Sequence, residues 1–366
     1  MASNYSVYYI QAFDFSVNFT LSLIKSSDST ISISQAYYVG FMSLRGSLLQ
    51  LLADGRFYSG AWLGRTLGVS RNTIWKHIHF LQRHQVDIHA VRGRGYRLAK
   101  PVELLSSHAI RQYMDSATRS KLGQLDILME IDSTNRYLMA RAAQGAEVGD
   151  ACLAEYQSEG RGRLGREWVS PFAANIYLSL LWRFPGGAEG IAGLGLAIGV
   201  TILRSVQAMG ADNVYVKWPN DLVCKEHKLS GILLELRTDR LGACHVVIGI
   251  GLNIRMPYHD SLTIDQPWID LEQVLSRPVS RNQVAAILLQ QLLKDLEEFQ
   301  SSGLASFIDE WRQNDVLNGR SVTVTTADRT IIGIARGIDD YGALRLEYDG
   351  KISRFLTGDV SVRATL

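Results

Sequence analysis

The stretch EGRGRLGREW, residues 159–168, decides between two kinds of α/β fold. Its glycines, Gly160, Gly162 and Gly165, spell the GxGxxG pattern of a dinucleotide-binding fold. That fold also needs a helix directly after the glycines and an acidic residue about 20 positions further on. Pro171 comes too soon for such a helix, and no acidic residue stands at a strand end at the right distance. We therefore reject a dinucleotide-binding fold, and the arginines between the glycines need another explanation.

Three arginines alternate with these glycines: Arg161, Arg163 and Arg166. Glycine allows the backbone to approach a ligand closely, and guanidinium groups pair in a fork with carboxylates and phosphates. The stretch can therefore hold anions. A solvated basic surface loop is the ordinary explanation of a single stretch of this kind, and a nucleic-acid patch is another.

The sequence around this stretch predicts an α/β domain. Between residues 106 and 310, strand-like apolar runs such as NIYLSLLW and HVVIGIGLNI alternate with helical patterns at 134–144, 190–209 and 281–300. The paired strands late in this run favour a mixed sheet. After Trp311, short strands separated by glycine and aspartate turns predict a small β-barrel of the SH3-like kind.

The residues before this domain predict a winged helix-turn-helix. A helix over 42–54 precedes two further helices, which Ser59 and Ser70 cap and the turn at Gly68 separates. The basic sequence RGRG at 92–95 then forms the tip of a hairpin. The residues expected to contact DNA are Arg71, Asn72, Thr73 and Lys76 on the second of these helices and Arg92 and Arg94 on the wing.

The complete prediction is thus an α+β multidomain chain. It comprises a poorly ordered extension over 1–41, the winged helix-turn-helix over 42–104, the mixed-sheet α/β domain over 105–313 and the SH3-like domain over 314–366.

Composition limits the partners. The 366 residues are 46% hydrophobic and carry a net charge of +2, so nucleic-acid binding must come from local clusters of charge. The three cysteines lack the spacing of a metal site, so we expect no metal ion that is held by protein side chains alone. Their low number and wide separation suit a reducing cytoplasm. We see no signal peptide or membrane span, so we expect no membrane partner.

Four further motifs are candidates for ligand binding: DSTN at 132–135, KWPND at 217–221, KLSGIL at 228–233 and GIGLN at 249–253. Each one alone has an ordinary structural explanation, as a helix cap, a proline turn, an edge lysine or a turn after a strand.

Together, in their order and spacing with YQSEGRGRLGREWVSP, these motifs resemble the biotin–protein ligases. With the winged helix ahead of them, the chain is similar to the bifunctional ligases of the BirA type, which also repress the biotin biosynthetic operon. The resemblance covers roughly residues 42–366 and does not include 1–41.

The resemblance implies a function with two parts. The enzyme is a biotin–protein ligase that uses ATP and Mg²⁺ to make biotinyl-5′-AMP and transfers the biotin to a lysine of the biotin carboxyl carrier protein of acetyl-CoA carboxylase. The same adenylate acts as corepressor, and the adenylate-bound homodimer binds operator DNA. No enzyme nucleophile is needed, and we interpret Cys152 and Cys224 as small buried residues.

The resemblance also implies roles for residues in the matched motifs. The residues implied to bind biotin are Ser133, Thr134, Asn135, Gln157, Arg161, Gly162, Arg163 and Lys228. The residues implied to bind ATP are Arg166, Trp218, Asn220, Asp221 and Asn253. Arg163 and Lys228 are the catalytic residues, and Lys217 is either catalytic or part of a local ion pair.

Two other functions stay open at this point. One is a transcription factor whose α/β domain only senses a ligand, although such a sensor could lose the arginines and lysines. The other is a lipoate ligase-like enzyme on a related fold, which would lack the winged helix.

Overall fold

The structure is a computed structural model that describes residues 44–83, 86–185, 187–238, 243–257, 264, 266–326, 328–356 and 361–364. The extension predicted over 1–41 lies outside the described residues. Within the described ranges, no helix combines the length and the apolar character that a bilayer span requires.

The N-terminal residues form three helices and a two-stranded hairpin, as predicted. The elements are α1 (Leu44–Leu52), α2 (Gly60–Leu67), α3 (Arg71–Arg83), β1 (Ile88–Val91) and β2 (Gly95–Leu98). Ser59 caps α2 by accepting from the backbone N–H of Trp62, and Gly68 ends α2 at φ 69°. The Oγ atom of Ser70 accepts from the N–H of Thr73 at 3.0 Å, which caps α3. The side chains of Ile74, Ile78 and Leu81 are buried, which confirms the helical spacing that predicted this core.

The central domain is built on a mixed seven-stranded sheet with the order β3-β4-β5-β9-β8-β7-β6. Its first pair is parallel and the other pairs are antiparallel. The strands are β3 (Leu125–Leu128), β4 (Ala151–Ala154), β5 (Ile176–Phe184), β6 (Tyr215–Lys217), β7 (Asp221–Cys224), β8 (His227–Thr238) and β9 (Cys244–Leu252). The prediction of a mixed sheet is confirmed.

Helices pack on both faces of this sheet. They are α4 (Ser107–Tyr113), α5 (Ser116–Arg119), α6 (Thr134–Ala142), α7 (Leu194–Gln207), α8 (Leu271–Leu275), α9 (Arg281–Ser302) and α10 (Ile308–Gln313). On one face, Tyr137 and Leu138 of α6 pack against Leu181 and Val247. Alternate residues of the same strands face α7 and α9 in the main core, which also contains the core of the C-terminal sheet. Helices α7 and α9 therefore cover one face of the sheet, and α6 packs on part of the other face.

The C-terminal residues form an antiparallel five-stranded sheet with the order β13-β12-β11-β10-β14. The strands are β10 (Ser321–Thr325), β11 (Thr330–Ile338), β12 (Leu344–Tyr348), β13 (Lys351–Phe355) and β14 (Ser361–Ala364). Among these described strands, the two outer ones do not pair with each other. A small antiparallel sheet is therefore observed, and its closure into an SH3-like barrel stays a prediction.

A buried ion pair joins the start of α9 to the end of β4. Arg281, at the start of α9, donates to Glu155 at 2.7 Å, and the two side chains are 2% and 0% exposed. The same guanidinium donates to the backbone carbonyls of Asn175 and Glu103. A charge this deeply buried is tolerated because each nitrogen of the guanidinium donates to an acceptor.

We predict that Arg281→Ala lowers the free energy of unfolding by about 3–5 kcal/mol, because it leaves the Glu155 carboxylate buried without its partner. Urea denaturation measures the change. Lys121→Ala is the control, since it removes a pair with Glu297 whose side chains are 46% and 47% exposed, and should cost less than about 1 kcal/mol. An equal loss in both variants would contradict the prediction.

Candidate active site

An open cavity lies above strands β8 and β9 and brings most of the predicted ligand residues together. Its lining includes Ser133, Thr134, Asn135, Gln157, Arg161, Gly162, Arg163, Arg166, Lys217, Trp218, Asn220, Asp221 and Lys228. These residues come from four separate motifs, so the fold gathers into one place what the sequence spreads over nearly a hundred positions.

Asn253 is not among the residues that line the cavity. Its side chain is buried, and its amide donates to the backbone carbonyls of Lys228 and Ile269. Asn253 therefore supports the start of β8 through its hydrogen bond to the backbone of Lys228.

One end of the cavity is formed by neutral polar groups, which we call the polar floor: Thr134, Asn135 and Gln157, which line the cavity, and Ser179, which supports them by hydrogen bonds to Thr134 and Asn135. The Oε1 atom of Gln157 accepts from the backbone N–H of Thr134 at 2.9 Å and from its hydroxyl at 3.1 Å. The Ser179 hydroxyl lies 2.8 Å from that of Thr134 and 2.6 Å from the Asn135 Oδ1 atom. All four residues are buried. Such a surface can hydrogen-bond an uncharged polar group without a counter-ion.

Ser133 stands at the N-terminal cap of α6 but makes no capping hydrogen bond with its side chain. The helix begins where the DSTN motif predicts, whereas the cap bond expected of Ser133 is not formed. Its hydroxyl lines the cavity instead.

Next to the floor, the indole of Trp168 occupies an apolar slot over two glycines. Gly231 and Gly251 pair across β8 and β9, and the indole of Trp168 lies directly on them. A Cβ atom on Gly251 would stand 2.3 Å from the indole, and one on Gly231 would stand 2.9 Å from it. The glycines are therefore required by close approach of the ring, not by backbone conformation.

Residues 160–168, the arginine loop, fold as a short hairpin over the cavity. The N–H of Gly162 donates to the carbonyl of Arg166 at 2.8 Å, and the N–H of Trp168 donates to the carbonyl of Gly160 at 2.9 Å. At the tip, Leu164 has φ 56° and is 52% exposed. No dinucleotide-type helix follows these glycines, since the chain makes a single 3-10 turn at Arg163–Gly165.

Cationic side chains converge on the cavity, and each has an acceptor from another element. The Nη2 atom of Arg161 donates to both carboxylate oxygens of Glu235, at 2.8 and 2.9 Å. Lys228 pairs with Asp221 at 2.8 Å, and its Nζ atom lies 5.4 Å from the Trp168 ring centre.

Arg163 donates to the Oδ1 atom of Asn220 at 3.1 Å. These contacts hold the cations beside the cavity before any ligand arrives. An anionic ligand then meets charges that are already in place.

The KWPND turn joins this site to the C-terminal sheet. Trp218 is buried, and its Nε1 atom donates to the carbonyl of Gly342 at 3.1 Å. Asn220 donates in turn to the carbonyl of Ile232 at 2.8 Å. The side chain of Trp218 thus serves to anchor the turn that presents Asn220 and Asp221.

The thiols have no role in this site. Burial raises the pKa of the Cys152 thiol well above its ordinary value and also raises the pKa of the Cys224 thiol. A thiol that stays protonated is a poor nucleophile. This environment agrees with the interpretation of both residues as small buried side chains.

The predicted DNA-contacting residues lie on the surface of the N-terminal unit. Arg71, Asn72 and Lys76 are exposed on α3, as are Arg92 and Arg94 on the hairpin. Arg94 lies over the Phe57 ring, 4.1 Å from its centre. The remaining residue, Thr73, is half-buried, and its hydroxyl contacts that of Ser70 at 2.9 Å, so it supports the cap of α3.

Sequence reasoning missed four residues of these surfaces. Trp168 and Glu235 hold the loop and its ligand residues, and Ser179 completes the polar floor. Trp75 is 48% exposed on α3 beside Lys76. The available signal for Ser179 and Glu235 was a polar side chain within an otherwise apolar strand.

Three family models match this chain. The Biotin/lipoate A/B protein ligase family matches residues 127–253, the Biotin protein ligase C terminal domain matches 318–363, and an HTH domain matches 45–97.

Curated relatives and solved structures agree with these matches. The chain is 43% identical to the bifunctional ligase/repressor BirA of Escherichia coli K12, over 87% of this chain and 96% of that protein. It is 33% identical to the biotin–[acetyl-CoA-carboxylase] ligase of Mycobacterium tuberculosis, over 65% and 88%. A solved structure of Aquifex aeolicus biotin protein ligase with biotin and ATP superimposes with a TM-score of 0.58 at 26% identity, covering 67% of this chain and all of the other.

We predict that Gly251→Ala lowers the free energy of unfolding by about 1–3 kcal/mol, because the new methyl group collides with the Trp168 indole. Urea denaturation of four proteins tests this: wild type, Gly251→Ala, Trp168→Ala and the double variant. Because the collision needs both side chains, the alanine at 251 should cost less when Trp168 is absent. Equal costs in the two backgrounds would show that the indole does not occupy the slot.

Proposed function

This chain belongs to the family of bifunctional biotin ligase/repressors, and on that premise we propose that it activates biotin with ATP, transfers it to a carrier protein and represses transcription in response to the adenylate. The observation that carries the enzymatic part is a single cavity in which a neutral polar floor adjoins a cluster of cations.

The polar floor fits the uncharged ureido ring of biotin. Ser133, Thr134, Asn135 and Gln157 offer buried donors and acceptors without net charge, and Trp168 supplies an apolar wall for the rest of the molecule. We propose that biotin lies with its ring on this floor and its carboxylate toward Arg161, Gly162, Arg163 and Lys228.

The cationic side of the cavity fits ATP. We propose that Arg166, Asn220 and Asp221 contact the nucleotide and that Trp218 and Asn253 act as supports for these contacts. Mg²⁺ commonly binds one or two carboxylates together with substrate phosphates. The carboxylate of Asp221 lines the cavity and fits that role, and bound Mg²⁺ would neutralise phosphate charge.

The reaction must bring two anions together. A carboxylate oxygen of biotin attacks the α-phosphorus, the acyl–phosphate bond forms, and the bond to pyrophosphate breaks. Lys228 and Arg163 offset the repulsion between the reactants and stabilise the charge on the pentacoordinate phosphorus. The arginine loop covers the mixed anhydride and keeps water from it.

In the second step the amine of an acceptor lysine attacks the acyl carbonyl. An amide forms, AMP leaves, and the amine loses a proton. We propose the biotin carboxyl carrier protein of acetyl-CoA carboxylase as the acceptor. We place the reaction in the cytoplasm, where the thiols of the free cysteines stay reduced.

The repressor part rests on the N-terminal unit and on one edge of the central sheet. A single helix-turn-helix reads one half-site, so operator binding calls for a dimer. The register between β7 and β8 ends at Gly231, the backbone of Ile232 still bonds to Asn220, and no described strand pairs with the outer edge of β8 beyond these residues. We propose that this edge pairs across a two-fold axis, and that the adenylate favours the dimer by ordering nearby loops.

Two alternatives fit less well. A pure ligand sensor has no need of Arg163 and Lys228 together beside the cavity. A lipoate ligase-like enzyme gives no account of the N-terminal HTH domain.

We predict that Arg163→Ala and Lys228→Ala each slow adenylate formation or speed the loss of the adenylate from the protein. Each substitution removes a charge-assisted contact to the reacting groups, so the change in rate should correspond to about 2–4 kcal/mol. Pyrophosphate release and retention of labelled adenylate measure the two effects, and thermal melting checks that both variants fold. Wild-type rates together with wild-type retention would exclude these residues from the chemistry.

We predict that biotin with ATP tightens both self-association and DNA binding. Sedimentation equilibrium follows the dimer, and fluorescence anisotropy follows a DNA that the full chain selects from a random pool. A protein without residues 42–100 should lose specific DNA binding and keep at least part of its biotin transfer. A dimerisation constant that ignores the adenylate, or specific DNA binding by the shortened protein, would contradict the repressor proposal.

A further inference from the structure

Glu235 is an acidic residue beside a site built for anions, and the proposed reaction gives it no role. It lies in the middle of β8, opposite Val247, and its side chain is 24% exposed. A carboxylate near two anionic substrates is unfavourable unless it does something else, so its partners are informative.

Both of its carboxylate oxygens are occupied by groups of the site. The Oε2 atom of Glu235 accepts from the Asn135 amide at 2.8 Å and from Arg161 at 2.9 Å. Its Oε1 atom accepts from Arg161 at 2.8 Å. One side chain thus holds a residue of the polar floor and a residue of the arginine loop at the same time.

The contact to Asn135 fixes which end of that amide faces the floor. Its Oδ1 atom lies 2.6 Å from the Ser179 hydroxyl, and its Nδ2 atom donates to Glu235 and to the carbonyl of Leu233. A carboxylate only accepts hydrogen bonds, so it rejects the flipped amide. The floor therefore keeps one pattern of donors and acceptors.

The contact to Arg161 fixes the base of the loop. Arg161 comes directly after Gly160, and its backbone pairs with Glu167 on the returning arm of the hairpin. The ion pair between Arg161 and Glu235 therefore holds both arms of the loop against the sheet.

We propose that Glu235 is a positioning residue that ties the arginine loop to the polar floor and thereby sets how long the adenylate is retained. This inference rests on the proposed function. Glu235 acts through Asn135 and Arg161, and the two contacts have separable consequences. Loss of charge frees the loop, whereas loss of the acceptor frees the Asn135 amide.

Two substitutions in the full-length chain separate these consequences. In Glu235→Gln the new amide oxygen can still accept from Asn135, but the charge that holds Arg161 is gone. In Glu235→Ala both contacts are lost. The control is Glu347→Gln, which breaks a 2.6 Å ion pair with Arg336 on the C-terminal sheet. Three quantities are measured: the rate of pyrophosphate release, KM for biotin, and the rate at which labelled adenylate leaves the protein during a chase with unlabelled biotin.

We expect Glu235→Gln to speed adenylate release about fivefold, as for the loss of a partly exposed ion pair, with KM for biotin within about twofold of wild type. Glu235→Ala should speed release at least as much and also raise KM for biotin. Glu347→Gln should match wild type in all three quantities. In a protein with Arg161→Ala, the added Glu235→Gln change should have little further effect on release, because the two residues act through one contact.

Unchanged adenylate release in folded Glu235→Gln and Glu235→Ala proteins would overturn the inference, with the proposed function intact. So would a full fivefold effect of Glu235→Gln in the Arg161→Ala background. A wild-type chain that makes no adenylate would instead overturn the proposed function, and this inference with it.

Discussion

The site depends on keeping positive charge at fixed positions beside the cavity. A carboxylate and a triphosphate repel each other, so cations are needed between them. If the cationic side chains were flexible, ordering them during the reaction would cost conformational entropy. The structure holds Arg161, Arg163 and Lys228 through acceptors on β8 and on the turn between β6 and β7. These acceptors also weaken the attraction between the cations and an anionic ligand. When the ligand binds, each cation therefore exchanges its protein acceptor for the ligand.

The fold supplies the rigidity that this arrangement needs. Helices pack on both faces of the seven-stranded sheet, and the buried pair of Arg281 and Glu155 ties α9 to the end of β4. On this base the paired glycines of β8 and β9 leave room for the Trp168 indole, which in turn lies beside Lys228. A single ring thus joins the apolar slot to the cationic part of the cavity.

Much of this could be predicted from the sequence, because the motifs carry their own chemistry. The RGRLGR stretch alone is also compatible with a basic surface loop and becomes a candidate anion site only together with the other motifs, whereas capping serines and helical spacing predicted α2 and α3. Glu235 and Ser179 could not be assigned, because strand alternation tells only which face a residue occupies and not which distant loop it meets. Asn253 was assigned to the ligand from its motif, whereas its amide is directed at the backbone of Lys228 and Ile269. Barrel closure depends on long-range strand pairing, which turn spacing does not encode.

The central claim is that this cavity activates a carboxylate with ATP and passes it to a lysine. Labelled biotin incubated with the protein, ATP, Mg²⁺ and a biotin carrier domain tests it directly. The account predicts ATP-dependent label on one lysine of the carrier, in an amide bond that survives denaturation, with pyrophosphate and AMP as the other products. Label that stays in solution, or that reaches the carrier equally well without ATP, would contradict it.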